Sequence, residues 1–121
     1  MKKTKIVFMV LAIFVGTLLS CASSTASIEE ELIIAPDPAN PFQGTWVSMG
    51  SRSYMHVING MNGEWYFFNP GVYGIGRGWA KQAVYTIEEN DDGFMTSNHW
   101  RISVNGNILT VENMTYERFL K

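Results

Sequence analysis

Apolar and polar positions divide the chain into three stretches. Residues 6–19 are almost wholly apolar and follow a start that carries Lys2, Lys3 and Lys5. Residues 22–40 mix Ser, Thr, Ala, Glu and Pro with no sustained period of 2 or 3.6, which predicts a linker rather than a packed element. Within it, residues 29–34 could form a brief helical turn or an extra strand. Beyond Pro41, apolar-rich runs alternate with turn signals: Asn59-Gly60, Asn62-Gly63, Asn69-Pro70-Gly71, Asp92-Gly93 and Asn105-Gly106. Asn-Gly and Asp-Gly supply the positive φ of tight hairpins. The runs between them predict strands over 42–49, 52–58, 64–68, 79–89, 94–104, 108–113 and 115–120, seven candidates with room for an eighth. Alternation is clearest at the end of the fifth, where Trp100, Ile102 and Val104 share one face and His99, Arg101 and Ser103 the other. Short strands joined by hairpins, with no helical segment between them, predict an all-β domain over 41–121: a small antiparallel up-and-down barrel or sandwich.

The leader changes the picture of where such a domain sits. A basic start followed by about 14 apolar residues is the layout of a secretory signal and is too short to span a bilayer comfortably. It ends in Leu18-Leu19-Ser20-Cys21, which resembles the bacterial lipobox, with a Leu three positions before the cysteine and a small residue just before it. The resemblance implies cleavage after residue 20 and acylation of Cys21. Two or three acyl chains anchor stably, because each buried methylene contributes about 0.8 kcal/mol. Cys21 is the sole cysteine, so it has no disulfide partner within the chain. The expected organisation is a signal peptide over 1–20, a lipidated N-terminus and flexible linker over 21–40, and the β domain after it. Fully extended, the linker reaches about 65 Å, and as a coil about 25 Å. The expected location is the cell envelope, facing the periplasm or the surface.

Charge narrows the partners. From Cys21 onward the chain keeps six basic and eleven acidic side chains, a net charge of about −5. A nucleic-acid reader needs the opposite sign, and anionic head groups would repel such a chain, so the lipid and not charge is expected to hold it to a membrane. A domain of about 80 residues without a disulfide must also draw much of its stability from large aromatics. Aromatic residues make up 13% of the chain, and most are therefore assigned to the core.

Phe42-Gln43-Gly44-Thr45-Trp46 carries a Gly-x-Trp at the start of the first strand, and Tyr116-Glu117-Arg118 places an Arg in the last. This pair of features resembles the lipocalins and related calycin barrels, in particular the short lipocalin-like domains of bacterial lipoproteins. The resemblance covers 41–121. It implies that Trp46 packs across the base of a barrel, that Arg118 lies over its ring, and that Gly44 belongs to the same closure. The domain has about half the length of a full lipocalin and lacks the family's Thr-Asp-Tyr loop motif, which implies a shallower cup.

Candidate chemistry is sparse. His56 and His99 are the only histidines and are read as surface or half-buried strand residues rather than as zinc ligands. No Gly-x-Ser-x-Gly occurs, and no cofactor or catalytic group is expected. Glu88, Glu89, Asp91 and Asp92 read as a solvated hairpin tip. Residues 69–79 interleave four glycines with Tyr73, Ile75, Arg77 and Trp79. They form either an aromatic loop at the barrel mouth that touches a ligand or partner, or a wide hairpin whose glycines bend the sheet, with Trp79 in the core. Two functions follow. One is a non-catalytic module that holds a small apolar or lipidic ligand through Phe67, Tyr73, Ile75 and Trp79. The other is a filled barrel that binds an envelope protein, as an inhibitor or assembly factor.

Overall fold

The computed structural model describes residues 28–71 and 76–120. Cys21, Tyr73 and Ile75 lie outside the described residues. Eight strands follow one another: β1 (Gly44–Ser48), β2 (Tyr54–Asn59), β3 (Asn62–Asn69), β4 (Gly78–Asn90), β5 (Gly93–Thr96), β6 (Arg101–Asn105), β7 (Ile108–Val111) and β8 (Met114–Arg118). Each pairs antiparallel with the next, and β8 pairs with β1 to close an up-and-down barrel. Closure leaves few free edges on a sheet of short strands.

Several turn signals act as such. Gly60, Gly93 and Gly106 have φ of 67°, 123° and 62° at the β2–β3, β4–β5 and β6–β7 connections. Asn62-Gly63 does not. It lies inside β3, where Gly63 pairs with Tyr85, and a Cβ on Gly63 would sit 2.2 Å from that ring. The glycine is there for a close approach, not for a turn. The predicted strand 94–104 is divided for a related local reason. Thr96 ends β5, its Oγ1 accepts from the Trp100 amide at 2.9 Å, and the Thr96 amide donates to the Trp100 carbonyl at 2.9 Å. His99 takes φ 70° in the turn between them. His99 is therefore an exposed turn residue, while Trp100, Ile102 and Val104 face the core.

The interior is packed with Phe42, Trp46, Ile58, Tyr85, Ile87, Ile102, Leu109, Val111 and Tyr116. A second apolar cluster lies on the outside of the wall, where Val47, Met55, Val57 and Tyr66 are covered by Ile28, Leu32 and Ile34. Within the stretch expected as linker, residues 28–34 form a strap with a 3-10 turn at Glu30–Leu32, the brief helical turn that is one of the alternatives for 29–34. The strap is fastened at Thr45, whose hydroxyl donates to the Leu32 carbonyl at 2.5 Å and accepts from the Ile34 amide at 2.9 Å. Covering both faces explains why β1 is buried at every position, although an ordinary barrel strand alternates.

β4 bends from one neighbour to another. Its residues from Gly78 to Thr86 ladder with β3, with Gln82 bulged out between the Trp65–Ala83 and Tyr66–Lys81 pairs, and Ile87 to Asn90 ladder with β5. A bulge of this kind increases local twist and lets a long strand turn the corner of a small barrel.

Candidate functional site

The two ends of the barrel are built differently. At the end where β1 begins, the structure brings Gly44, Trp46 and Arg118 together. Trp46 is fully buried, its indole N–H donates to the Phe42 carbonyl at 2.9 Å, and the Arg118 guanidinium lies 4.2 Å from its ring centroid. Trp46 and Arg118 are cross-strand partners in the β1–β8 ladder. Arg118 also donates to the carbonyls of Gln43 at 2.7 Å and Pro41 at 3.3 Å and to Asn107 Oδ1 at 2.9 Å. A Cβ on Gly44 would fall 2.5 Å from the guanidinium, so the glycine makes the space that the arginine fills. Phe42 packs edge-on against Phe94 at 4.9 Å and completes the plug.

At the opposite end lie the β1–β2, β5–β6 and β7–β8 turns and the two ends of the β3–β4 connection. There the interior opens into a cup of about 160 Å³, walled by Trp65, Trp100, Tyr116, Val111 and Met114, with His56 lining it and Glu112 at its rim. Two larger grooves, of about 530 and 360 Å³, lie on the outside of the wall, and their floors are largely outward-facing strand residues such as Glu64, Val84, Ser103 and Thr110. The smaller cup is the candidate because it alone of these three enters the barrel between aromatic rings.

His56 is the polar group of this cup. It is 1% exposed, which corrects the surface or half-buried reading: β2 is covered on both faces, and the ring points inward. Its Nδ1 lies 2.6 Å from the Tyr85 hydroxyl. Four rings surround it, with Tyr116 edge-on at 4.7 Å, Tyr85 at 5.6 Å, Trp100 at 6.1 Å and Trp65 at 6.4 Å. Burial among apolar rings penalises the charged imidazolium and pushes its pKa down to about 3, so the ring is neutral at physiological pH. Burial likewise pushes the Tyr116 hydroxyl up to about 12 and raises that of Tyr85. Among the described residues, the second imidazole nitrogen has no hydrogen-bond partner.

The rim is braced by backbone contacts. Glu112 takes φ 54° at the β7–β8 turn, its amide donates to the Arg101 carbonyl at 2.9 Å, and its Oε2 accepts from the Arg101 amide at 2.6 Å. Trp65 is backed by Tyr54, whose ring stacks on it at 5.7 Å and 9°. Trp100 meets Trp65 edge-on at 5.6 Å.

The residues expected to contact a ligand are dispersed. Phe67 is near the cup, 5.5 Å from Tyr54, but is turned partly to solvent. Trp79 faces outward: it pairs with Phe68, meets that ring edge-on at 5.2 Å and packs on the outer cluster beside the strap. It belongs neither to the interior core nor to the cup, because the bulge at Gln82 sets the parity of this half of β4. Sequence reasoning placed Trp100 on a core face, singled out neither Trp65 nor Tyr116 among the aromatics, and missed His56. One signal bears on the rings but not on His56. Trp46 marks the plugged end, so aromatic residues of inward parity toward the other ends of β3 and β8 and just before β6 line the other.

Among the described residues, no group of three or more His, Cys, Asp or Glu side chains could hold a metal ion, and no helix is long and apolar enough to cross a membrane. The acidic residues of the β4–β5 hairpin are exposed.

The fold and the site define a small eight-stranded antiparallel barrel, plugged at one end and cupped at the other. Comparison with protein-family models, with curated proteins and with solved structures found no match.

Proposed function

We propose that the chain is a lipid-anchored protein of the cell envelope whose lipocalin-like barrel is a non-catalytic binding module for a small apolar or lipidic ligand. The aromatic cup is the observation that carries the binding reading. Binding sites for small molecules are concave and mostly apolar, with a few polar residues, and those that line this cup are His56 and Glu112. The cup's 160 Å³ is close to the roughly 150 Å³ cavity known to hold benzene, so it takes one ring or the last few carbons of a chain. A lipidic ligand therefore enters by one end only. Benzyl alcohol and hexanol, titrated against tryptophan fluorescence, should give a saturable change, and Trp100→Ala should weaken both by about tenfold. A linear response, or an unchanged variant, counts against the reading.

The lipocalin-like reading is supported by the Gly44, Trp46 and Arg118 arrangement on a closed barrel. The anchor rests on the leader and Cys21. With the strap docked from Ile28, only residues 22–27 separate the acylated cysteine from the barrel, a reach of about 25 Å at full extension. Cys21→Ala should move the protein out of the carbonate-washed membrane fraction. If it still sediments there, intact mass decides whether the uncleaved leader holds it or the anchor reading is wrong.

A protein partner is favoured by one separate observation. Met49, Phe67 and Met114 are 46%, 37% and 38% exposed around the open end, and the interior below the cup is filled. Such an apolar rim suits a docking surface.

A further inference from the structure

We infer that the cup selects a compact cation with an apolar skin, of the quaternary-ammonium class, through the rings of Trp65, Trp100 and Tyr116 and the carboxylate of Glu112. This deepens the binding reading above and rests on it. Aromatic rings carry negative potential on their faces and attract cations that come within about 6 Å, with Trp the strongest of them. Three such rings converge on one volume of about 160 Å³, and among the described residues no Lys or Arg lines it. Among the described residues, Glu112 is the one charged residue that lines it; it sits exposed at the rim. The floor adds no competing charge, because burial keeps His56 neutral.

Size and hydration choose among cations. A primary ammonium is compact and strongly hydrated, and the cup has one carboxylate with which to replace that water. A trimethylammonium group presents methyls to the rings and gives up little hydration, and its volume suits a cavity that accepts a single ring. The site is also held in shape before any ligand arrives. Tyr54 stacks behind Trp65, Trp100 is fastened through Thr96, and Glu112 is fixed by its two bonds to the Arg101 backbone. Preorganisation of this kind lowers the entropic cost of binding. Glu112 holds a left-handed φ of 54°, where Gly or Asn would be less strained. It borders the cup at the rim. The net charge of about −5 beyond Cys21 further favours the approach of cations.

The test is a pair of ligands of the same shape. Choline and 3,3-dimethyl-1-butanol differ chiefly in a positive nitrogen replaced by a neutral carbon. Titrated into the mature chain by tryptophan fluorescence, choline is expected to bind at least tenfold more tightly. Glu112→Gln retains the bond to the Arg101 amide through its carboxamide oxygen, and should cut the preference to within about threefold, because choline loses more affinity than the butanol does. Equal affinity for the two ligands would overturn the cation assignment and leave an apolar binding cup. Saturable binding of neither would remove both readings. Phosphatidylcholine vesicles distinguish the sources of the same chemistry: if they displace choline, the ligand is a lipid head group, and if they do not, it is a free small cation.

Discussion

Acidification from pH 7 to pH 4.5 is expected to remove about 2–3 kcal/mol of stability through His56 alone, rising to about 4 kcal/mol as the pH nears 3. The imidazole is held neutral in the fold, with its pKa lowered from 6.5 to about 3, and is free to protonate once unfolded. Below pH 6.5 the unfolded chain therefore binds the extra proton. Stability then falls with pH by about 1.4 kcal/mol per unit, and the loss levels off only when the folded state protonates too. The contribution is intact above the unfolded pKa. Carboxylates add their own dependence, so the informative quantity is the difference between wild type and His56→Gln. The amide can still bond the Tyr85 hydroxyl but carries no titrating charge. Urea midpoints at pH 7, 6, 5 and 4.5 should diverge for the two proteins along that slope. Parallel curves would mean that His56 accepts its proton without unfolding the barrel.

Trp46→Ala should cost about 3–5 kcal/mol, since it empties a fully buried site at the plugged end. Arg118→Ala should cost about 2 kcal/mol, from the lost contact over the ring and the hydrogen bonds to Gln43 and Asn107. The two residues touch, so the double variant should lose less than the sum, with a coupling of about 1–2 kcal/mol. Without the indole, Arg118 has already lost its partner and is left partly desolvated. Where Trp46→Ala prevents folding, Trp46→Leu keeps apolar bulk, removes the π system and carries the same cycle. Four urea melts give the coupling, and strict additivity would mean that the stack contributes nothing to closing β1 on β8.

The fold class was legible because hairpin turns are local chemistry. Asn59-Gly60, Asp92-Gly93 and Asn105-Gly106 each supply a positive φ between two apolar runs, and each connects neighbouring strands of the barrel. Asn62-Gly63 offered the same signal and meant something else, because the need for a missing Cβ came from Tyr85, more than twenty positions away. The division of the strand over 94–104 was hidden for a similar reason. Thr96 caps its own turn through a side-chain contact that no alternation of apolar residues records.

The cup was not legible, and β2 shows why. Met55, His56, Val57 and Ile58 are all buried, since the inner face meets the core and the outer face meets the strap. A strand covered on both sides loses the period of two that would have said which side His56 faces. The strap itself, residues 28–34, has linker composition and becomes an element only by docking on Val47, Met55, Val57 and Tyr66. Parity on β4 was lost at the Gln82 bulge, which turned Trp79 to the outside.

What the sequence by itself determined is what depends on residues adjacent in the chain: the turns, the all-β class and the number of strands to within one. What only the tertiary structure decided is what depends on residues brought together from different strands. His56, Trp65, Trp100 and Tyr116 come from β2, β3, the β5–β6 turn and β8, and they meet because closure of β8 on β1 bends the sheet into a ring. Burial inside that ring then lowers the His56 pKa, and no spacing along the chain carries that information.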